Sequence, residues 1–222
     1  MSAPPNAGGA ARRPPAIPGF QGVQRMWDSR AQCWIARVLP GEYYVTRHDE
    51  AISTVLGSCI SACIRDPALS VGGLNHFMLP EDSGERAGGE SDRWLDPIVG
   101  LSTRYGSHAM ERLINALIKL GARRDRLEVK LFGAGRILAS ATEVGERNIE
   151  FVRNYLKTEG LNCAAEDLGD VVPRRVLYFP RTGRVRVKRL RSLQATSIVE
   201  RESRYLGELA GANVGGDVEL FE

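Results

Sequence analysis

Ile52-Ser53-Thr54-Val55-Leu56-Gly57-Ser58-Cys59-Ile60-Ser61-Ala62-Cys63-Ile64 is an apolar run rich in β-branched residues, interrupted once at Gly57-Ser58. Its composition predicts two strands, with a thiol set directly after the break. Arg65-Asp66-Pro67 supplies turn chemistry, and Val71 to Met78 resumes the apolar stretch. The chain therefore returns as the second arm of a hairpin, which predicts Cys59 and His76 as near neighbours.

Outward from this hairpin, Tyr43-Tyr44-Val45 leaves a Pro40-Gly41 turn as a further strand. Met110, Leu113, Ile114, Leu117 and Leu120 recur at helical spacing up to Gly121, after an expected polar loop over residues 81–93. Leu127 to Phe132 alternates as a strand, and a second helix carries Ile149, Val152 and Leu156 before Gly160. Val176–Phe179 and Arg184–Leu190 flank Pro180-Arg181-Thr182-Gly183 as a closing hairpin. Because hairpins flank the βαβ-like middle, the expected class is α/β, a single-domain layered sandwich with a mixed β-sheet and two principal helices. Residues 1–33 are expected as a flexible N-terminal tail, 34–190 as the folded domain, and 191–222 as an acidic C-terminal tail or isolated helix.

Thirty Lys and Arg against 27 Asp and Glu leave only +3, too small an excess to argue for nucleic acid or an anionic membrane as the main partner. No apolar run is long enough to cross a bilayer, so the chain is not expected to be membrane-inserted. Cys33, Cys59, Cys63 and Cys163 are irregularly spaced in a chain without a visible export signal. A cytoplasmic location with reduced thiols is expected.

Glycine before Cys59 allows close backbone approach, so that a thiolate could face a cleft while neighbouring amide N–H groups meet a developing oxyanion. His76, on the return strand, is placed to take the thiol proton. The bland alternatives are a core cysteine and a core histidine, and Cys63, without a glycine beside it, is read as core. His48 and His108 fall on polar segments and are read as solvated. Cys59, Cys63 and His76 match no common zinc spacing, so no metal is assigned. Gly133-Ala134-Gly135 lacks the third glycine of a dinucleotide turn, and Arg184, Arg186, Lys188 and Arg189 read as a solvated edge strand.

Pro40-Gly41-Glu42-Tyr43, Thr54-Val55-Leu56-Gly57-Ser58-Cys59, Arg65-Asp66-Pro67 and Gly72-Gly73-Leu74-Asn75-His76-Phe77-Met78-Leu79-Pro80 together resemble the chemoreceptor glutamine deamidase family, CheD. Gly145-Glu146-Arg147-Asn148-Ile149 and Glu166-Asp167-Leu168-Gly169 extend the resemblance, which covers roughly residues 38–190. It implies a Cys, His, Thr set: Cys59 as nucleophile, His76 as base, and Thr54 or Ser53 as third member, with Thr54 favoured by residue type. Those two neighbours point to opposite sheet faces, so only one can orient the imidazole. Gly57, Ser58 and Asn75 are assigned to the oxyanion or to positioning. The resemblance further implies hydrolysis of glutamine amides, with glutamyl methyl esters as a second substrate class, on the cytoplasmic helices of methyl-accepting chemoreceptors. No cofactor is implied; a CheC-like phosphatase is the implied partner and a monomer the expected state. The competing class is a non-catalytic module that regulates such a phosphatase.

Overall fold

A computed structural model describes residues 12–80, 97–137, 142–190 and 195–211; the polar loop expected over 81–93 lies outside the described residues. Strands β1 (Arg25–Asp28), β2 (Cys33–Arg37), β4 (Glu50–Leu56), β9 (Arg174–Phe179) and β10 (Arg184–Arg189) form one sheet in the order β1-β2-β4-β9-β10. A second sheet, ordered β3-β6-β5-β7-β8, contains β3 (Tyr43–Thr46), β5 (Ile60–Asp66), β6 (Val71–Asn75), β7 (Glu128–Gly133) and β8 (Asn162–Leu168). Each sheet is mixed, because β2 runs parallel to β4 and β7 parallel to β8 while the other pairs are antiparallel. Helices α1 (Pro97–Lys119), α2 (Thr142–Thr158) and α3 (Ala195–Gly211), with a 3-10 turn at Arg124–Arg126, complete the described elements.

Two apolar clusters define the layers. Ile52, Leu56, Val176 and Tyr178 of the first sheet meet Cys63, Leu74 and Phe132 of the second. On its other face the second sheet buries Ile60, Ala62, Ile64, Val129 and Leu131 against Met110, Leu113 and Leu117 of α1 and Val152 and Leu156 of α2. The order is sheet, sheet, helices. Alternation along β5 feeds both clusters: Ile60, Ala62 and Ile64 face the helices, while Cys59 and Cys63 face the other sheet. The expected α/β layered class holds, with two sheets sharing the strands in place of one.

The chain passes from the first sheet to the second at Gly57-Ser58-Cys59, between β4 and β5. The foreseen hairpin is β5–β6, with Cys63 opposite Leu74, and a further antiparallel bridge joins Ile60 to Phe77. Both expected helix stops are made by glycines in the left-handed region, Gly121 (φ 97°) and Gly160 (φ 63°).

Three segments differ from expectation. Residue 33, the expected end of the tail, lies inside a β1–β2 hairpin in which Trp27 faces Trp34; Arg25 of β1 ion-pairs with buried Glu50 at 3.4 Å, and Ile17 is buried in the core. Strand β8 (Asn-Cys-Ala-Ala-Glu-Asp-Leu) has no apolar alternation because it is a largely exposed edge, held by backbone pairing to β7. Helix α3 runs through Gly207 and is not isolated: Ile198 and Tyr205 are buried, and Val199, Leu206 and Leu209 are partly buried on the same face.

Candidate active site at the sheet-to-sheet crossover

Three elements converge at the crossover. Residue Thr54 shares the inner face of β4 with Ile52 and Leu56, so its side chain enters the space between the sheets. Ser53 has the opposite parity and is half-buried on the other face. His76 follows β6 and shares the parity of Leu74 and Met78, both of which pack between the sheets.

The geometry ties these residues together. Thr54 Oγ1 lies 2.7 Å from His76 Nδ1 and donates to the Val38 carbonyl at 2.9 Å. A threonine hydroxyl has a single proton, and the Val38 carbonyl can only accept it. His76 Nδ1 must therefore carry the ring proton and donate to Thr54, which leaves Nε2 as the basic nitrogen of the neutral ring. His76 Nε2 is buried and has no hydrogen-bond partner among the described residues. Cys59 Sγ, a ring nitrogen of His76 and a carboxylate oxygen of Glu202 all lie within 4.8 Å of one another.

Glu202 of α3 was not anticipated. Its Oε1 accepts from the Gly57 N–H at 2.7 Å and the Cys59 N–H at 3.3 Å, while Oε2 accepts from the Ser58 N–H and Ser58 Oγ, each at 2.7 Å. Three consecutive backbone N–H groups thus converge on one carboxylate beside the thiol. Gly57 makes room for it, since a Cβ there would sit 2.6 Å from Glu202 Oε2 and 2.1 Å from Ile137 Cδ1. The sequence does hold a signal: Glu202 is a charged residue in the middle of the apolar stripe Ile198, Val199, Tyr205, Leu206, Leu209.

Two further residues hold the crossover in shape. Asn148 Nδ2 donates to the Ser58 carbonyl at 3.0 Å and its Oδ1 accepts from the Leu79 N–H at 2.9 Å, which gives the Gly145-Glu146-Arg147-Asn148 motif a role in the site. The end of β7 closes from the other side, with Ala134 N–H on the Cys59 carbonyl at 2.6 Å and Gly135 N–H on the Gly57 carbonyl at 2.7 Å. Gly133 (φ 112°) must be glycine here, because a Cβ would meet the Cys59 carbonyl oxygen at 2.2 Å. Asn75 lies away from the thiol: its Oδ1 accepts from the Ala62 N–H at 2.8 Å and its Nδ2 donates to the Ala109 carbonyl at 3.1 Å, pinning the hairpin to α1. Cys63 is buried between the sheets, as its apolar setting implies.

Burial, then the charge and hydrogen bond of Glu202, push the Cys59 thiol well above its ordinary range. Burial, then the positive charge of Arg201, hold His76 down to about 3. Beneath α3 both groups are neutral, and both are buried. The open clefts of about 910 and 470 Å³, one beside Trp34 and one between α1 and α2, contain neither Cys59 nor His76, while a small cavity of about 50 Å³ is lined by His76 with Tyr43, Tyr105 and Arg112.

The donor types Cys59, His76 and Glu202 could in principle hold a metal ion. The hydrogen bonds argue for another use: both carboxylate oxygens already face N–H donors, which orient lone pairs toward the backbone, and Nδ1 is committed to Thr54.

The three-layer α/β scaffold thus gathers a thiol, an imidazole with a fixed proton, and converging N–H groups, the group types that acyl transfer by a cysteine uses. The family model for CheD chemotactic sensory transduction matches residues 78–189. "Probable chemoreceptor glutamine deamidase CheD" of Halorhodospira halophila is 51% identical over 208 residues, 94% of each chain. The proteins of the same name from Hahella chejuensis and Hydrogenovibrio crunogenus are 48% identical over 208 residues and 52% identical over 199, covering 94% and 90% of this chain and 95% and 100% of theirs. The chain belongs to the CheD family.

Proposed function

We infer that this chain is a chemoreceptor glutamine deamidase that works through Cys59. The observation that carries the reading is the Thr54–His76 hydrogen bond, which leaves Nε2 as the unprotonated nitrogen of a ring that lies, through one of its nitrogens, within 4.8 Å of the Cys59 sulfur, beside the N–H groups of Gly57, Ser58 and Cys59. The names of the relatives supply the substrate class: glutamine side chains of chemoreceptors.

In the reaction His76 Nε2 takes the Cys59 proton and the thiolate attacks the carboxamide carbon. The backbone N–H groups at the crossover hold the oxyanion, in the place where the Glu202 oxygens now sit. The C–N bond breaks, ammonia leaves with the proton from His76, and water cleaves the thioester to give glutamate and restore the thiol. Thr54 acts as a positioning residue that keeps the ring proton on Nδ1. A glutamyl methyl ester would pass through the same thioester. No helix among the described residues is long and apolar enough to cross a membrane. A cytoplasmic, monomeric enzyme with a CheC-type phosphatase as partner completes the proposal.

Cys59→Ala is expected to abolish ammonia release from receptor cytoplasmic fragments while leaving partner binding intact. Continued conversion of glutamine to glutamate by that variant, read by mass spectrometry, would overturn the mechanism.

A further inference from the structure

Glu202 has an unusual environment for a buried carboxylate. Among the described residues its hydrogen bonds all come from the crossover, from the N–H groups of Gly57, Ser58 and Cys59 and the Ser58 hydroxyl, rather than from a cationic side chain. It is 1% exposed, and burying a carboxylate in this way is tolerable only where the receiving site is already built for oxygen acceptors. The same donors face the position that the mechanism gives to the oxyanion. Moreover, Glu202 is a glutamate carried on a helix, which is the product of deamidating a glutamine carried on a helix.

Everything around Glu202 keeps it there. Tyr205 and Ile198 are buried on either side of it, Val199, Leu206 and Leu209 extend the contact, and the Tyr205 hydroxyl is hydrogen-bonded to Tyr105 of α1. Only residues 191–194 separate this helix from Leu190, which directly follows β10, so the local concentration of Glu202 at the site is high.

We propose that α3 is an intramolecular product mimic: Glu202 occupies the place of a deamidated glutamine, α3 closes the site of the free protein, and a receptor helix must displace it. This rests on the deamidase reading. The electrostatics agree with it, because the two charges that disfavour the reactive thiolate–imidazolium pair both come from α3. Burial is the larger cause of each shift, and to it Glu202 adds an upward push on the thiol and Arg201 a downward push on the imidazole. Displacing the helix removes both. A glutamine at position 202 would fit less well than glutamate, because its amide nitrogen would face an N–H donor that the carboxylate satisfies.

The test is the full-length Glu202→Gln chain, followed by intact and peptide mass spectrometry. A substrate analogue seated at Cys59 is expected to convert itself: Cys59 Sγ bonds to the new amide carbon, ammonia departs, and water releases glutamate at position 202. Addition of Cys59→Ala should preserve the amide. Alongside, Glu202→Ala is expected to deamidate a receptor cytoplasmic fragment about tenfold faster than the unaltered chain, because a receptor helix no longer competes with a filled site. An amide that persists at position 202 in a preparation that converts receptor glutamines overturns the inference and spares the deamidase reading. So does a Glu202→Ala rate no higher than that of the unaltered chain. Conversion of neither substrate, by any of these forms, overturns the deamidase reading itself and the inference with it.

Discussion

Replacing Thr54 by valine keeps the branched shape of the side chain and removes one oxygen. That oxygen accepts from His76 Nδ1 at 2.7 Å and donates to the Val38 carbonyl at 2.9 Å, so the change orphans a buried ring N–H and a buried carbonyl together. Each orphaned group costs about 1–3 kcal/mol, so a loss of stability on the order of 2–6 kcal/mol is expected by chemical denaturation. The effect on the reaction is separate. With no acceptor at Nδ1 the ring proton is free to move to Nε2, and every ring in that tautomer is useless as a base. Loss of one neutral hydrogen bond, about 0.5–1.5 kcal/mol at about 1.4 kcal/mol for each factor of ten, gives a fall in kcat/KM of roughly 2- to 13-fold. Thr54→Ser retains the hydroxyl and should keep most of the activity. Ser53→Ala, on the other face of β4, should leave activity unchanged. The assay is glutamate formation in a receptor fragment, read per glutamine by mass spectrometry, with the folded fraction of each variant matched by circular dichroism. Full activity in Thr54→Val together with loss in Ser53→Ala would refute the tautomer argument.

Two other outcomes are expected. Asn148→Ala removes the bonds to the Ser58 carbonyl (3.0 Å) and the Leu79 N–H (2.9 Å), and should cost on the order of 2–4 kcal/mol in denaturant unfolding along with much of the activity; a variant as stable as the parent would show that the crossover does not need this strut. Acid sensitivity follows from His76, whose value of about 3 in the folded chain lies below its ordinary 6.5. The unfolded chain therefore binds the proton first, so the stability tied to this group is complete above pH 6.5 and is lost as pH falls from 6.5 toward 3. The slope from one such group is up to about 1.4 kcal/mol per pH unit. Urea midpoints measured across that range should fall more steeply for the parent than for His76→Asn, and identical slopes would contradict the burial of a neutral ring.

Much of the fold was legible because alternation and helical spacing are local properties. The Gly57-Ser58 break, the β5–β6 return and the glycine stops at Gly121 and Gly160 each follow from a few adjacent residues. What was not legible lacked a local signature. β8 is polar and exposed along most of its length and becomes a strand only because β7 offers it an unpaired edge. β1 belongs to the body through the long-range ion pair of Arg25 with Glu50, which no window of adjacent residues contains.

For the candidate site, sequence alone put Cys59 and His76 on facing strands and established that Ser53 and Thr54 point opposite ways, since both statements follow from a period of two. Which of the two hydroxyls faces the imidazole depends on which side of β4 the second sheet covers, and that is a property of the assembled layers. Glu202 shows the limit most clearly. Its position on an apolar helical stripe can be read from the residues around it, but its meeting with Gly57, Ser58 and Cys59 joins groups more than 140 positions apart. Only the packing of α3 onto the crossover creates that contact, because hydrogen bonds are specified by distance in space and sequence order places no constraint on it.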